Sequence, residues 1–149
     1  MFLTEFCSSF TEVDAVVDLA RKYLMACDCA ELRPITFFVL FALRELLNNA
    51  VEHGNGLQYQ KKVCVAMELS KRGLEIRVCD EGAGLRLNRV IRENAELPSQ
   101  PPRNQHPAHL PERSRGLSTL LEMGFEIGNR DGAVIARLKP SMMQQLAKR

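Results

Sequence analysis

Three polar side chains, Glu45, Asn49 and His53, recur at every fourth position near the end of an apolar run that begins around Pro34. On a helix, positions i, i+4 and i+8 share one face, so the three form a polar stripe on an element that is otherwise core. A carboxylate and a carboxamide one turn apart, both half-buried, are costly unless something binds them. A divalent metal carrying a nucleotide phosphate chain would bind both. Neighbouring Asn48 is expected to face elsewhere. A histidine in the place of His53 either caps carbonyls and favours the helix dipole or supports phosphates.

A second constellation is Asp80-Glu81-Gly82-Ala83-Gly84. It follows Leu74 to Cys79, in which apolar and polar residues alternate as they do in a strand. A carboxylate at a strand end can accept a hydrogen bond from an exocyclic amine. Two glycines let the backbone approach a flat ring or adopt positive φ. By itself such a pattern marks an ordinary turn; a Glu-x-x-x-Asn-Ala helix shortly before it gives it weight. The third is Arg113-Ser114-Arg115-Gly116-Leu117, which is expected to open a helix running to about Met123. The N–H groups and dipole of a helix start form a natural phosphate site, and Arg113 and Arg115 add positive charge, unless they are simply solvated.

The elements that must position these groups follow from periodicity. Residues 2 to 8 read as an edge strand. Thr11 to about Cys27 reads as an amphipathic helix, with Val13, Val16, Val17, Ala20 and Leu24 on one face and Thr11 as N-cap. Pro34 fits the first turn of the next helix, which is expected to run to about Glu52 and stop at Gly54-Asn55-Gly56. Lys62 to Ser70 and Leu74 to Asp80 predict a hairpin. Phe125 to Asn129 and Ala133 to Lys139 predict another, around Arg130-Asp131-Gly132. Helices first and antiparallel strands after suggest a two-layer α/β sandwich with helices on one sheet face. Between Arg86 and Arg113 lie five of the seven prolines; so irregular a segment inside a compact domain is functional or disordered. Its His106-Pro-Ala-His109 is not read as a metal pair, because proline forbids the helix that would aim both rings together.

In these boxes the chain resembles the GHKL ATPase superfamily. Glu45 to Gly54, written E-x-x-x-N-A-x-x-H-G, looks like its N box, Asp80 to Gly84 like its first glycine box, and Ser114 to Leu117 like its second. Within the superfamily the wording is most similar to the anti-sigma-factor serine kinases of bacterial partner-switching systems. The resemblance implies one α+β domain over residues 1–149, of the Bergerat type, with a mixed, mostly antiparallel sheet and an ATP lid at about 86–113. It implies ATP and Mg²⁺ as cofactors, with Glu45 as the catalytic carboxylate and Asn49 as the metal ligand. Asp80 would read adenine, and Gly82 and Gly84 would shape the pocket wall. His53, Arg113, Ser114, Arg115, Gly116 and Leu117 would complete the nucleotide site.

The same resemblance implies partners: a STAS-domain anti-anti-sigma protein as phosphoryl acceptor, a sigma factor or equivalent regulator as captive, and a homodimer formed on the first-helix side. Two positions depart from the family pattern. Ser114 stands where the second glycine box usually has glycine, which implies a stiffer lid hinge or weaker nucleotide affinity, partly offset if Ser114 caps the helix. The last strand has Ala133 and Val134 where a threonine commonly helps to hold adenine. A non-catalytic ATP-sensing switch that traps a partner is the alternative. A detached sensor-kinase domain is disfavoured by Glu45, and topoisomerases, mismatch-repair proteins and chaperones of the superfamily need further domains.

Composition agrees with one ordinary domain. Hydrophobic residues make up 46% of 149 and charged residues 26%, as in globular proteins. A net charge of +2 gives no electrostatic reason to expect nucleic-acid binding. The most apolar run, Phe37 to Leu43, ends at Arg44 and Glu45, short of a membrane span, and the first residues have no basic leader. A cytoplasmic protein is expected. The five cysteines contain no C-x-x-C and are expected to be reduced thiols, with Cys64 and Cys79 as small buried side chains.

Overall fold

Alternating strands become a two-faced sheet, and which face is buried decides where Asp80 points. The structure, a computed structural model, describes residues 1–81 and 112–149, with the side chains of 112–115 left aside. Its strands are β1 (Phe2–Cys7), β2 (Lys62–Ser70), β3 (Gly73–Asp80), β4 (Glu126–Arg130) and β5 (Ala133–Leu138). They form one five-stranded sheet in the order β1-β2-β3-β5-β4. Every pairing in it is antiparallel. Together with the helices this is an α+β fold, with β1 on an edge of the sheet as expected.

Register sets the core in rows. Val65 lies opposite Val78, which lies opposite Val134, and Met67, Ile76 and Ala136 make the next row. All six are buried. Because side chains alternate with period 2, Asp80 shares the core-facing side with Ile76 and Val78. It therefore aims its carboxylate at the helical layer from the end of β3. On the other face Glu75 bonds Arg137 across the strands at 2.7 Å, and the guanidinium holds the Glu75 carboxyl below its usual range.

Helix α1 (Phe10–Ala26) buries Val13, Val16, Val17, Ala20 and Leu24, the face expected from the sequence. Its N-cap is Ser9 and not Thr11: the Ser9 hydroxyl accepts from the Glu12 N–H at 3.1 Å. Ser9-x-x-Glu12 has the spacing of a capping box. Pro34 sits in a separate 3₁₀ turn, Arg33–Ile35, before α2 (Thr36–Asn49). Helix α3 spans Glu112–Met123, and α4 spans Pro140–Ala147. The last was not anticipated; Pro140 starts it and Met143 and Leu146 anchor it in the core. The β4–β5 turn is as expected: Asp131 and Gly132 take φ of 51° and 78°, the left-handed pair of a two-residue hairpin turn.

The stretch Arg33–Gly54, 22 residues containing an 18-residue window of mean hydropathy 1.3, is long and apolar enough to cross a membrane by composition. In the fold its Val39, Ala42, Leu43, Leu46 and Leu47 are buried in the protein's own core. Cys64 and Cys79 correct the expectation of burial. They face each other across β2 and β3 on the outer side of the sheet and are half-exposed; their period-2 phase is opposite to that of Val63 and Val78. All five cysteines are free.

Candidate functional site

Helix α2 does not end where periodicity alone would stop it. After Asn49 the backbone widens into a π turn, Ala50–Gly54, closed by the Asn55 N–H donating to the Ala50 carbonyl at 2.8 Å. Such widened turns inside helices concentrate at functional sites. The expected stripe therefore holds from Glu45 to Asn49 and loses its phase before His53. His53 Nε2 is buried and lies 3.4 Å from Oε2 of Glu52, a residue of its own turn.

Asn49 is 5% exposed, and its Nδ2 has no hydrogen-bond partner among the described residues. Leaving such a group unsatisfied costs about 1–3 kcal/mol, so this carboxamide is built for a ligand or is a net burden. Asn48, next to it, is only half-buried, as expected. One turn back, Glu45 is half-buried, and burial pushes its carboxyl pKa up, with the Arg44 charge as a smaller opposing influence. Arg44 itself turns away to pair with Asp14 of α1. Glu45 has no ion-pair or hydrogen-bond partner among the described residues.

Two glycines bring the boxes together. Gly116, in α3, lies so close to Glu45 that a Cβ there would overlap the carboxylate Oε2. Gly54, at the end of the π turn, is placed the same way against the Asp80 carboxylate. Side chains at either position would push those carboxylates aside. The second glycine box thus closes on the catalytic candidate, and the helix end closes on the base-reading candidate. Nothing in the spacing announced these contacts, because each joins elements distant in sequence.

Other expectations come out differently. Leu117 is 1% exposed, a core side chain, so only its backbone is available to a ligand. Helix α3 begins at Glu112, which places Ser114 within the first turn and not at the cap. Val134 packs into the core at 5% exposure. Gly82, Gly84 and the lid at about 86–113 up to Pro111 lie outside the described residues, as do the side chains of Arg113, Ser114 and Arg115.

Asn55 was not singled out from the sequence. It is 1% exposed; its Nδ2 donates to Ser8 Oγ at 2.5 Å and to the Lys62 carbonyl at 3.0 Å. Its Oδ1 accepts from the Glu81 N–H at 2.8 Å. The Glu81 side chain returns to the Lys62 N–H at 2.8 Å. A polar residue between two glycines just past a helix end was the one signal available.

The chain belongs to the histidine kinase-like ATPase domain family, whose match covers residues 10–123. No curated protein matches the chain. Membership fits what the geometry already displays: an ATP-binding fold in which an acidic, carboxamide-bearing helix faces a strand-end aspartate and a second glycine-bearing helix.

Proposed function

We propose that this protein is an ATP-dependent serine kinase of the anti-sigma-factor type, which phosphorylates a STAS-domain antagonist and in its other state holds a sigma factor or similar regulator. The observation that carries the reading is the pairing of Glu45 with Asn49. A carboxylate whose pKa is raised by burial, one turn from a buried carboxamide whose Nδ2 has no partner among the described residues, has the groups phosphoryl transfer requires: a base, a donor for a phosphate oxygen and an amide oxygen for the metal.

Glu45 accepts or orients the proton of the attacking serine hydroxyl; burial makes it a better base than an exposed glutamate. Asn49 offers its oxygen toward the metal–triphosphate, and Mg²⁺ supplies charge neutralisation there when bound. Among the described residues no group of three or more His, Cys, Asp or Glu side chains is arranged for a metal ion. Asn49 and the triphosphate would therefore share it. Asp80 accepts from the adenine amine, and the N-terminal turn of α3 faces the phosphates. His53 supports the helix end beside them. A homodimer joined on the α1 side belongs to the same reading.

The test is to incubate the protein with Mg·ATP and purified STAS-domain proteins of the same genome and to look for phosphoserine by mass spectrometry. Phosphoserine on one of them supports the kinase. ATP binding without phosphoserine on any would replace it with a non-catalytic nucleotide-gated switch.

A further inference from the structure

The buried Asn55 carboxamide touches three strand ends at once: the chain just past β1, the start of β2 and the exit of β3. Its orientation is fixed by chemistry. The Glu81 N–H can only donate and the Lys62 carbonyl can only accept, so the amide has one placement that satisfies both. The Glu81 N–H belongs to the peptide that leaves Asp80. Holding it fixes the backbone on one side of Asp80, while Gly54 walls its carboxylate on the other.

We propose that Asn55 is a positioning residue for base recognition: its carboxamide holds the Asp80–Glu81 corner so that Asp80 distinguishes a purine bearing an amine from one bearing a carbonyl at the same ring position. The inference rests on the nucleotide reading given above. A carboxylate selects an amine donor over a carbonyl acceptor only if held within a few tenths of an ångström. The π turn places Asn55 to do this, since the widened closure on Ala50 is what brings residue 55 to the strand ends.

The two ends of the amide have separable tasks. Its oxygen holds the recognition corner; its nitrogen ties that corner to Ser8 and Lys62. Asn55→Asp keeps an acceptor for the Glu81 N–H and loses the donors. Asn55→Ala loses both, and Ser8→Ala removes only one donor contact.

The experiment is calorimetric titration of each variant with Mg·ATP and with Mg·GTP, alongside hydrogen exchange of the Glu81 amide and thermal melting. Asn55→Ala is expected to lose about tenfold of the preference for ATP over GTP, the worth of one well-made hydrogen bond, with fast exchange at Glu81. Asn55→Asp is expected to retain most of the preference and the Glu81 protection despite a lower melting temperature. Ser8→Ala is expected to melt earlier with its preference intact. If Asn55→Ala fails to fold, the comparison of Asn55→Asp with Ser8→Ala decides. An unchanged preference in folded Asn55→Ala, or a lost preference in Asn55→Asp with Glu81 still protected, overturns the proposal. Failure of the wild-type protein to bind either nucleotide overturns the nucleotide reading and this inference with it.

Discussion

Gly116 and Glu45 are in contact across two helices, and a methyl group at 116 would occupy the place of the Glu45 carboxylate. The obstruction would fall on the far end of a flexible side chain and not on backbone. Gly116→Ala is therefore expected to leave the fold nearly as stable while displacing the carboxylate and slowing phosphoryl transfer. The check is a melting curve beside a transfer assay; full activity in Gly116→Ala would show that the contact does not position Glu45.

Asn49 carries a buried amide nitrogen with no partner among the described residues, so its value should appear only with ligand. Asn49→Ala is expected to melt near the wild-type temperature when free. The wild-type protein should gain about 2.7 kcal/mol from nucleotide at a hundredfold excess over Kd, and the variant should gain little at the same concentration. Thermal shift with and without Mg·ATP measures both.

Burial raises the Glu45 pKa, and that links function to stability. A carboxyl raised on folding contributes stability that is fully present below its ordinary value of 4.5 and is lost as pH rises through the folded value. Glu45→Gln, neutral throughout, is expected to be more stable than the wild type at neutral pH and equal to it below that value. Melting temperature against pH tests this; a difference that does not change with pH would contradict it.

Glu75 gives the opposite sign. Arg137 lowers its pKa, so its contribution is present above the ordinary 4.5 and is lost as pH falls through the depressed folded value. Glu75→Gln is expected to melt earlier than the wild type at neutral pH, with the gap closing on acidification.

Legibility in the sequence depended on range. Glu45 and Asn49 were readable because one helical turn places them together, and Asp80 because alternation from Leu74 carries to the strand end. The hairpin at Asp131-Gly132 was readable from its turn chemistry. The contacts of Gly116 with Glu45 and Gly54 with Asp80 were not, since tertiary packing alone creates them. The π turn has no compositional mark, and it is what shifts His53 off the stripe. Asn55 was visible as a residue, but its partners Ser8 and Glu81 are 47 and 26 positions away. Helix α4 has a legible start: Pro140 followed by helix-forming Met, Gln and Leu is an ordinary helix opening. Residue type suggests burial for Cys64 and Cys79, but their phase, opposite to that of Val63 and Val78, puts them on the outer face.

The most direct test of the central claim compares the wild-type protein with Glu45→Ala, each given labelled Mg·ATP and the STAS-domain proteins of the same genome as proposed acceptors. The account predicts that both bind ATP and that transfer to serine falls by about 10²–10⁴-fold in the variant, the range for loss of a general base. Equal transfer by the two proteins would contradict it.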